Sequence, residues 1–158
     1  MAIPEEVIRL QPHWRMLFAA CELLDAKAKR LAGCDWDLDA YERVLDPLEF
    51  DALVLIHFDG CWDNSGRFID TLYDWAKESD RVTRAFRTFG CNHAADLVPI
   101  ALELKKRVEL LWEQGEELPE GLRAEYDRIN DMAARDASEE KLAAVICERR
   151  NEFLRKHG

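Results

Sequence analysis

Apolar residues recur at steps of three and four along most of the chain, the spacing that puts side chains on one face of an α-helix. The longest stripe consists of Trp14, Leu17, Phe18, Cys21, Leu24, Ala28 and Leu31. Pro12 stands where a helix would begin and Gly33 where it would end, because proline suits the first helical turn and glycine the residue after the last turn. The pattern predicts one long helix that crosses the core.

A second stripe with the same period predicts another helix across the core. Its members are Leu97, Ala101, Leu104, Val108 and Leu111. Asn92 is expected to cap the start of this helix, Pro99 to lie in its opening turn and Gly115 to end it. Glycines 33, 60 and 90 each follow a helical pattern and precede a cysteine, which predicts that each ends a helix in the left-handed conformation.

Shorter helical patterns cover residues 41–45, 68–76, 82–89, 122–132 and 142–153, the last behind a predicted Ser138 cap. The apolar run at 52–58 suits either a buried strand or a buried helix. We expect a helix there, because no second run offers a strand to pair with it.

Four tryptophans fall within or beside apolar stripes and are interpreted as core residues, namely Trp36, Trp62, Trp75 and Trp112. The sequence therefore predicts one all-α domain over residues 1–158, a bundle of about seven or eight helices.

Composition is consistent with this single domain. The 158 residues are 48% apolar and 34% charged, and no apolar run approaches the length of a transmembrane helix. The acidic start of the chain lacks the pattern of a signal peptide, and the five cysteines form no Cys-x-x-Cys pair. We therefore expect a cytoplasmic protein with reduced thiols.

Negative charge is concentrated in one part of the chain. Residues 35–80 hold thirteen carboxylates against three basic side chains, which accounts for the whole net charge of -10. Such a charge repels nucleic acid and anionic lipid and favours basic partners. Asp35, Asp39, Glu42, Asp46 and Glu49 step by four and three, so they would share one helix face if Pro47 did not interrupt the helix. The rise of such a row is of the same order as the phosphate spacing of DNA.

A metal site is the alternative hypothesis. His57 and Cys61 are four residues apart, Cys91 and His93 are two apart, and two cysteines with two histidines can bind zinc tetrahedrally. A hydrogen-bonded core histidine and cysteines behind capping glycines explain the same residues without a metal. The alternative function is a metal-binding helical protein, of which a hydrolase would be one form. The chain has no HExxH, Walker or GxSxG motif, so an enzyme is not favoured.

Two segments, residues 58–66 and 89–102, resemble the DMP19-like (DUF4375) family. The matching positions are Phe58, Trp62, Asn64 and Ser65 in the first segment and Phe89, Gly90, Ala95 and Ala101 in the second. The likeness extends over about residues 45–155. The resemblance implies an all-helical acidic bacterial protein. At least one member of that family is a dimeric DNA mimic that sequesters a transcription factor.

We therefore expect a non-enzymatic acidic interaction protein without a cofactor, which binds a basic protein rather than nucleic acid or a membrane. In the strongest form of this hypothesis it is a DNA mimic that sequesters a DNA-binding regulator, and a homodimer is compatible with it. The predicted partner-binding carboxylates are Asp35, Asp37, Asp39, Glu42, Asp46, Asp63, Asp70 and Asp74.

Overall fold

The computed structural model describes residues 3–11, 13–137 and 139–149, and the regular secondary structure of these residues is helical, without a single strand. The helices are α1 (Glu5–Ile8), α2 (His13–Ala32), α3 (Leu38–Val44), α4 (Pro47–Ser65), α5 (Phe68–Asp74), α6 (Ser79–Thr88), α7 (Asn92–Glu113), α8 (Glu120–Asp136) and α9 (Glu139–Glu148), with a 3-10 turn at Ala76–Glu78. Within this described part, α1 is a single turn and eight helices are longer, so the predicted all-α class and helix number are confirmed. The predicted roles of Pro12, Ser138 and Phe153 fall outside the described residues.

The apolar run at 52–58 is helical, as predicted, and lies in the middle of α4. Gly60 does not end this helix, which continues to Ser65, whereas Gly33 and Gly90 have the predicted positive φ, at +72° and +74°. Among the described residues, no helix combines the length and the apolar character needed to cross a lipid bilayer.

The chain divides into two compact units. The first comprises Met1–His57 with Ser138–Gly158, and the second comprises Phe58–Ala137. The division falls inside α4.

Helix α2 is the centre of the first unit, and α1, α3 and α9 pack against it. Its buried side chains are Met16, Leu17, Ala20, Cys21, Leu24, Lys27 and Ala28. The apolar stripe predicted for this helix is only partly in the core, because Trp14, Phe18 and Leu31 are 51%, 61% and 49% exposed. The buried face is centred near Ala20 and Leu24, so Trp14 lies at its edge and Phe18 lies well outside it.

The junction between α3 and α4 is set by two aspartates. Asp37 is the N-cap of α3, and its carboxylate accepts a 3.0 Å hydrogen bond from the backbone N–H three residues later. Leu45 is extended and ends α3, and the Asp46 carboxylate accepts a 3.1 Å bond from the N–H of Leu48 in the first turn of α4. The predicted interruption at Pro47 is confirmed.

Aromatic packing dominates the core of the second unit. Phe58 meets Phe68 and Phe86 edge-on, with ring centroids 6.1 and 5.7 Å apart. Such edge-to-face pairs add to the stabilisation that burial provides. Helices α5, α6 and α8 all pack against α7.

Helix α7 buries most of its predicted stripe, since only Leu111 among the five members is half-buried rather than buried. Its predicted cap is wrong, because the N-cap is Cys91 and Asn92 is the first helical residue. The carboxylate of Asp136, from α8, instead accepts a 2.8 Å hydrogen bond from the N–H of Ala94. A carboxylate from a neighbouring helix thus satisfies a free amide of the first turn. Pro99 lies inside the helix, beyond the opening turn predicted for it.

Candidate functional site

The eight carboxylates predicted to bind a partner are divided between the two units. Asp35, Asp37, Asp39, Glu42 and Asp46 lie in the first unit, and Asp63, Asp70 and Asp74 lie in the second. Asp35, Asp37 and Asp39 are exposed, while Glu42 and Asp46 are half-buried. In the second unit Asp63 and Asp74 are exposed and Asp70 is half-buried.

The five carboxylates with helical spacing do not form one continuous row, because α3 ends before Pro47 and α4 begins there. Glu49, the last of the five, is 3% exposed, and its carboxylate contacts the ammonium of buried Lys27 at 2.7 and 2.8 Å. Glu49 therefore belongs to an internal ion pair. Asp39 and Glu42, three residues apart on α3, are the members of the row that share one helix face.

Residues 33–37 connect α2 to α3 and form a segment that we call the acidic loop. Within it, the side chain of Asp35 is 90% exposed, and Trp36 is 43% exposed rather than a core residue as predicted. Trp36 has a φ of +41°. In the described part of the chain, every other residue with a positive φ is a glycine. The left-handed conformation costs a residue with a Cβ about 1–2 kcal/mol, so surrounding contacts must hold it in place.

Two side chains hold Trp36. Its backbone N–H donates a 2.9 Å hydrogen bond to the hydroxyl of Tyr41, which in turn donates to the carboxylate of Asp25 at 3.4 Å. The indole ring packs on the imidazole of His57, with centroids 4.2 Å apart. Tyr41 itself is fully buried, so the loop is anchored to the core of the first unit.

The imidazole of His57 lies in surroundings that disfavour its charged form. Its Nε2 atom is buried and has no hydrogen-bond partner among the described residues. Burial lowers the pKa of His57, the charge of Lys29 acts in the same direction, and the charge of Asp25 opposes them. A neutral imidazole packs on an indole without the cost of burying a charge.

Lys29 links α2 to the acidic loop. Its ammonium contacts the carboxylate of Asp25 at 3.0 Å and that of Asp35 at 3.5 Å. The hydrogen bond and charge of Asp25 raise the pKa of Lys29. Because Asp35 is so exposed, its contact with Lys29 leaves most of the carboxylate facing solvent.

In the second unit Asp70 belongs to an internal network. Its carboxylate accepts a 2.5 Å hydrogen bond from the hydroxyl of Tyr126 and a 2.9 Å bond from the ammonium of Lys105. Burial acts to raise the pKa of Asp70, but the hydrogen bonds from Tyr126 and Lys105 outweigh it and the pKa is lowered. The same neighbourhood raises the pKa of Tyr126 to about 12, through burial and then through its bond to Asp70.

Lys105 is the centre of this network and was not singled out from the sequence. It is 6% exposed, contacts Glu109 at 2.7 Å, and lies 4.8 Å from the centroid of the Trp112 ring. The hydrogen bonds from Glu109 and Asp70 raise its pKa despite the opposing effect of burial. A signal was present in the sequence, because Lys105 lies four residues after Ala101 and three before Val108, the same spacing as the apolar stripe of α7.

The predicted metal ligands in the second unit do not converge. Cys91 is buried and its thiol contacts the carbonyl of Phe89 at 3.8 Å, while Cys61 and His93 are exposed. These three donors form no group within ligand distance of one another in the described part of this unit. His57, the fourth predicted ligand, lies in the first unit against Trp36.

Comparison of the chain with family models, with curated proteins and with solved structures gives no match in any of the three. The likeness to the DMP19-like family therefore stays a prediction.

Proposed function

We propose that this chain is a non-enzymatic interaction protein that binds a basic protein partner through the acidic loop and the outer face of α3. The carboxylates assigned to this surface are Asp35, Asp37, Asp39 and Glu42. Trp36, at the centre of the loop, is the aromatic contact that the sequence did not predict.

The observation that carries the proposal is the conformation of Trp36 between two exposed aspartates. A strained backbone persists only where surrounding contacts impose it, and such residues are concentrated at binding and catalytic sites. Here Tyr41 and His57 impose it. The result is a partly exposed indole on a loop fixed to the core, with an exposed aspartate on either side of Trp36 in the sequence.

This arrangement suits an arginine side chain of a partner. A guanidinium is attracted to the face of an indole and forms charge-assisted hydrogen bonds with carboxylates. Tryptophan and arginine are also the residues most enriched among those that dominate binding energy at protein interfaces. The net charge of -10 would accelerate association with a basic surface and make it sensitive to salt.

In its stronger form the proposal is that the partner surface otherwise binds nucleic acid, so that the chain acts as a DNA mimic. Localised negative charge supports this form, whereas the interruption at Pro47 removes the regular row of carboxylates as its basis. Competition distinguishes the two forms, because duplex DNA displaces a mimic from its partner and leaves a binder of another basic surface in place.

The test is affinity capture of partners from the native host with three versions of the protein. Asp35→Asn combined with Asp37→Asn removes two charges and keeps an N-cap residue for α3. Asp131→Asn combined with Glu140→Gln removes two exposed charges elsewhere and serves as the matched control. We expect a basic protein to be retained by the wild type and the control and lost by the loop variant. Equal retention by all three versions would contradict the proposal.

A further inference from the structure

A cavity of about 510 Å³ opens in the second unit, between α7, α8 and the connection that joins them. Its apolar wall consists of Val108, Trp112, Leu118 and Tyr126. Cavities of roughly 300–1,000 Å³ with mainly apolar walls and a few polar groups are typical of small-molecule sites. The volume lies within this range, and the wall combines an aromatic and aliphatic side with charged side chains.

The two aromatic rings of this wall are each held by a cation. The ammonium of Lys105 lies 4.8 Å from the centroid of Trp112, and the guanidinium of Arg67 lies 5.7 Å from that of Tyr126. Tyr126 is fixed further by its hydroxyl bond to Asp70. Trp112 is nevertheless 52% exposed, so it presents aromatic surface to an incoming molecule. A ring already held in place loses little conformational entropy when a ligand stacks on it.

Five charged side chains also line the cavity, and both signs are present. They are Arg67, Arg123, Glu116, Glu117 and Asp127. None of the five forms an ion pair within residues 3–11, 13–137 and 139–149. The arginines therefore have donors, and the carboxylates acceptors, for a molecule that carries both charges.

We propose that this cavity binds a small aromatic zwitterion, which is a molecule with a planar ring, a carboxylate and an ammonium group. The ring stacks on Trp112 and meets Val108. The carboxylate binds the guanidinium of Arg123, which suits bidentate contact with a carboxylate. The ammonium lies among the carboxylates of the connection that joins α7 to α8. A free aromatic amino acid and the ends of a short peptide share this chemistry.

The charge of the lining favours a zwitterion over a nucleotide. The lining holds two arginines and three carboxylates, so it is negative overall and repels a phosphate dianion. A ligand that offers one group of each sign satisfies both sets of side chains. Adenosine monophosphate is therefore the competing probe in the experiment.

The experiment is a titration of the full chain with adenosine monophosphate and with four phenyl compounds, followed through backbone amide and indole signals by NMR. L-phenylalanine carries all three groups, 3-phenylpropionate lacks the ammonium, phenethylamine lacks the carboxylate, and a phenylalanine dipeptide separates the free amino acid from a peptide end. We expect saturable binding of L-phenylalanine, with shifts at the Trp112 indole, and about tenfold weaker binding of each truncated probe.

Arg123→Gln and Arg128→Gln make a matched pair, because both arginines are exposed on α8 and Arg128 does not line the cavity. Arg123→Gln should weaken the binding of L-phenylalanine and of 3-phenylpropionate about tenfold and leave the binding of phenethylamine unchanged. Arg128→Gln should change the binding of none of these probes. The proposal is overturned if L-phenylalanine and the dipeptide do not saturate below about 10 mM, if adenosine monophosphate binds more tightly than both, or if the two variants behave alike.

Discussion

The imidazole of His57 packs on the indole of Trp36, with ring centroids 4.2 Å apart and planes inclined by 57°. The contact joins α4 to the acidic loop and supports the only positive φ found at a residue other than glycine among the described residues. Whatever disturbs His57 is therefore expected to disturb the surface proposed to bind a partner.

Stability should depend on pH through His57. Burial lowers its pKa in the folded state, whereas the unfolded value stays near 6.5. The unfolded chain then binds more protons over this range, so the contribution to stability is present above about pH 6.5 and is lost as the pH falls below it. The free energy of unfolding, measured with urea at about pH 7.5 and 5.5, should fall less between these two pH values in His57→Phe than in the wild type. The exposed His93 supplies the control, since His93→Gln should keep the wild-type loss.

Tyr41→Phe tests the hydrogen bond that anchors Trp36. The variant removes the acceptor for the Trp36 N–H and the donor to Asp25, so we expect the free energy of unfolding to fall by about 1–3 kcal/mol. The amide of Trp36 should also exchange with solvent faster than in the wild type. Tyr73→Phe, at an exposed position, should change neither quantity. Slow exchange at Trp36 in Tyr41→Phe would show that the hydroxyl does not hold the loop.

The free energy of unfolding should depend strongly on both partners of the buried ion pair between Lys27 and Glu49. Lys27→Met removes the ammonium that neutralises the buried Glu49 carboxylate and should cost about 3–5 kcal/mol, while Lys27→Met with Glu49→Leu should recover much of that loss. Thermal or urea unfolding measures both values. Lys106→Met is the control, because Lys106 is 71% exposed. A double variant no more stable than Lys27→Met would contradict the assignment.

Asp70 and Asp74 lie one turn apart on α5. They allow a carboxylate of the internal network to be compared with a carboxylate on the surface. Asp70→Asn weakens the bonds to Lys105 and Tyr126 and should lower the free energy of unfolding by about 1–3 kcal/mol. Asp74→Asn, at an exposed position, should stay within about 0.5 kcal/mol of the wild type. Similar unfolding curves for the two variants would remove the network around Lys105 as a source of stability.

The helices were predictable because their apolar period depends only on local sequence. The stripe through Leu104 and Val108 is in the core as predicted, and so is the helix at 52–58. The sequence does not specify how far a partner helix covers a stripe, and this is why Trp14 and Phe18 are exposed although they continue the pattern of α2.

The candidate site was predictable only in part. The concentration of carboxylates near α3 is visible in the sequence, but their individual roles depend on residues distant along the chain. Glu49 is paired with Lys27, 22 positions away, and Asp70 is bonded to Tyr126, 56 positions away. The conformation of Trp36 likewise depends on Tyr41 and His57, so local patterns indicated a core residue instead.

The most direct test of the proposed partner surface is a titration of the protein with an arginine-rich peptide, followed by NMR and compared among three variants. Trp36→Leu keeps the carboxylates, Asp35→Asn with Asp37→Asn keeps the indole, and Asp131→Asn with Glu140→Gln is the control of equal charge. We expect the largest shifts in residues 33–42, about tenfold weaker binding by the first two variants, and binding by the control like that of the wild type. Shifts spread evenly over the exposed carboxylates, with equal affinity for all variants, would contradict the proposed partner surface.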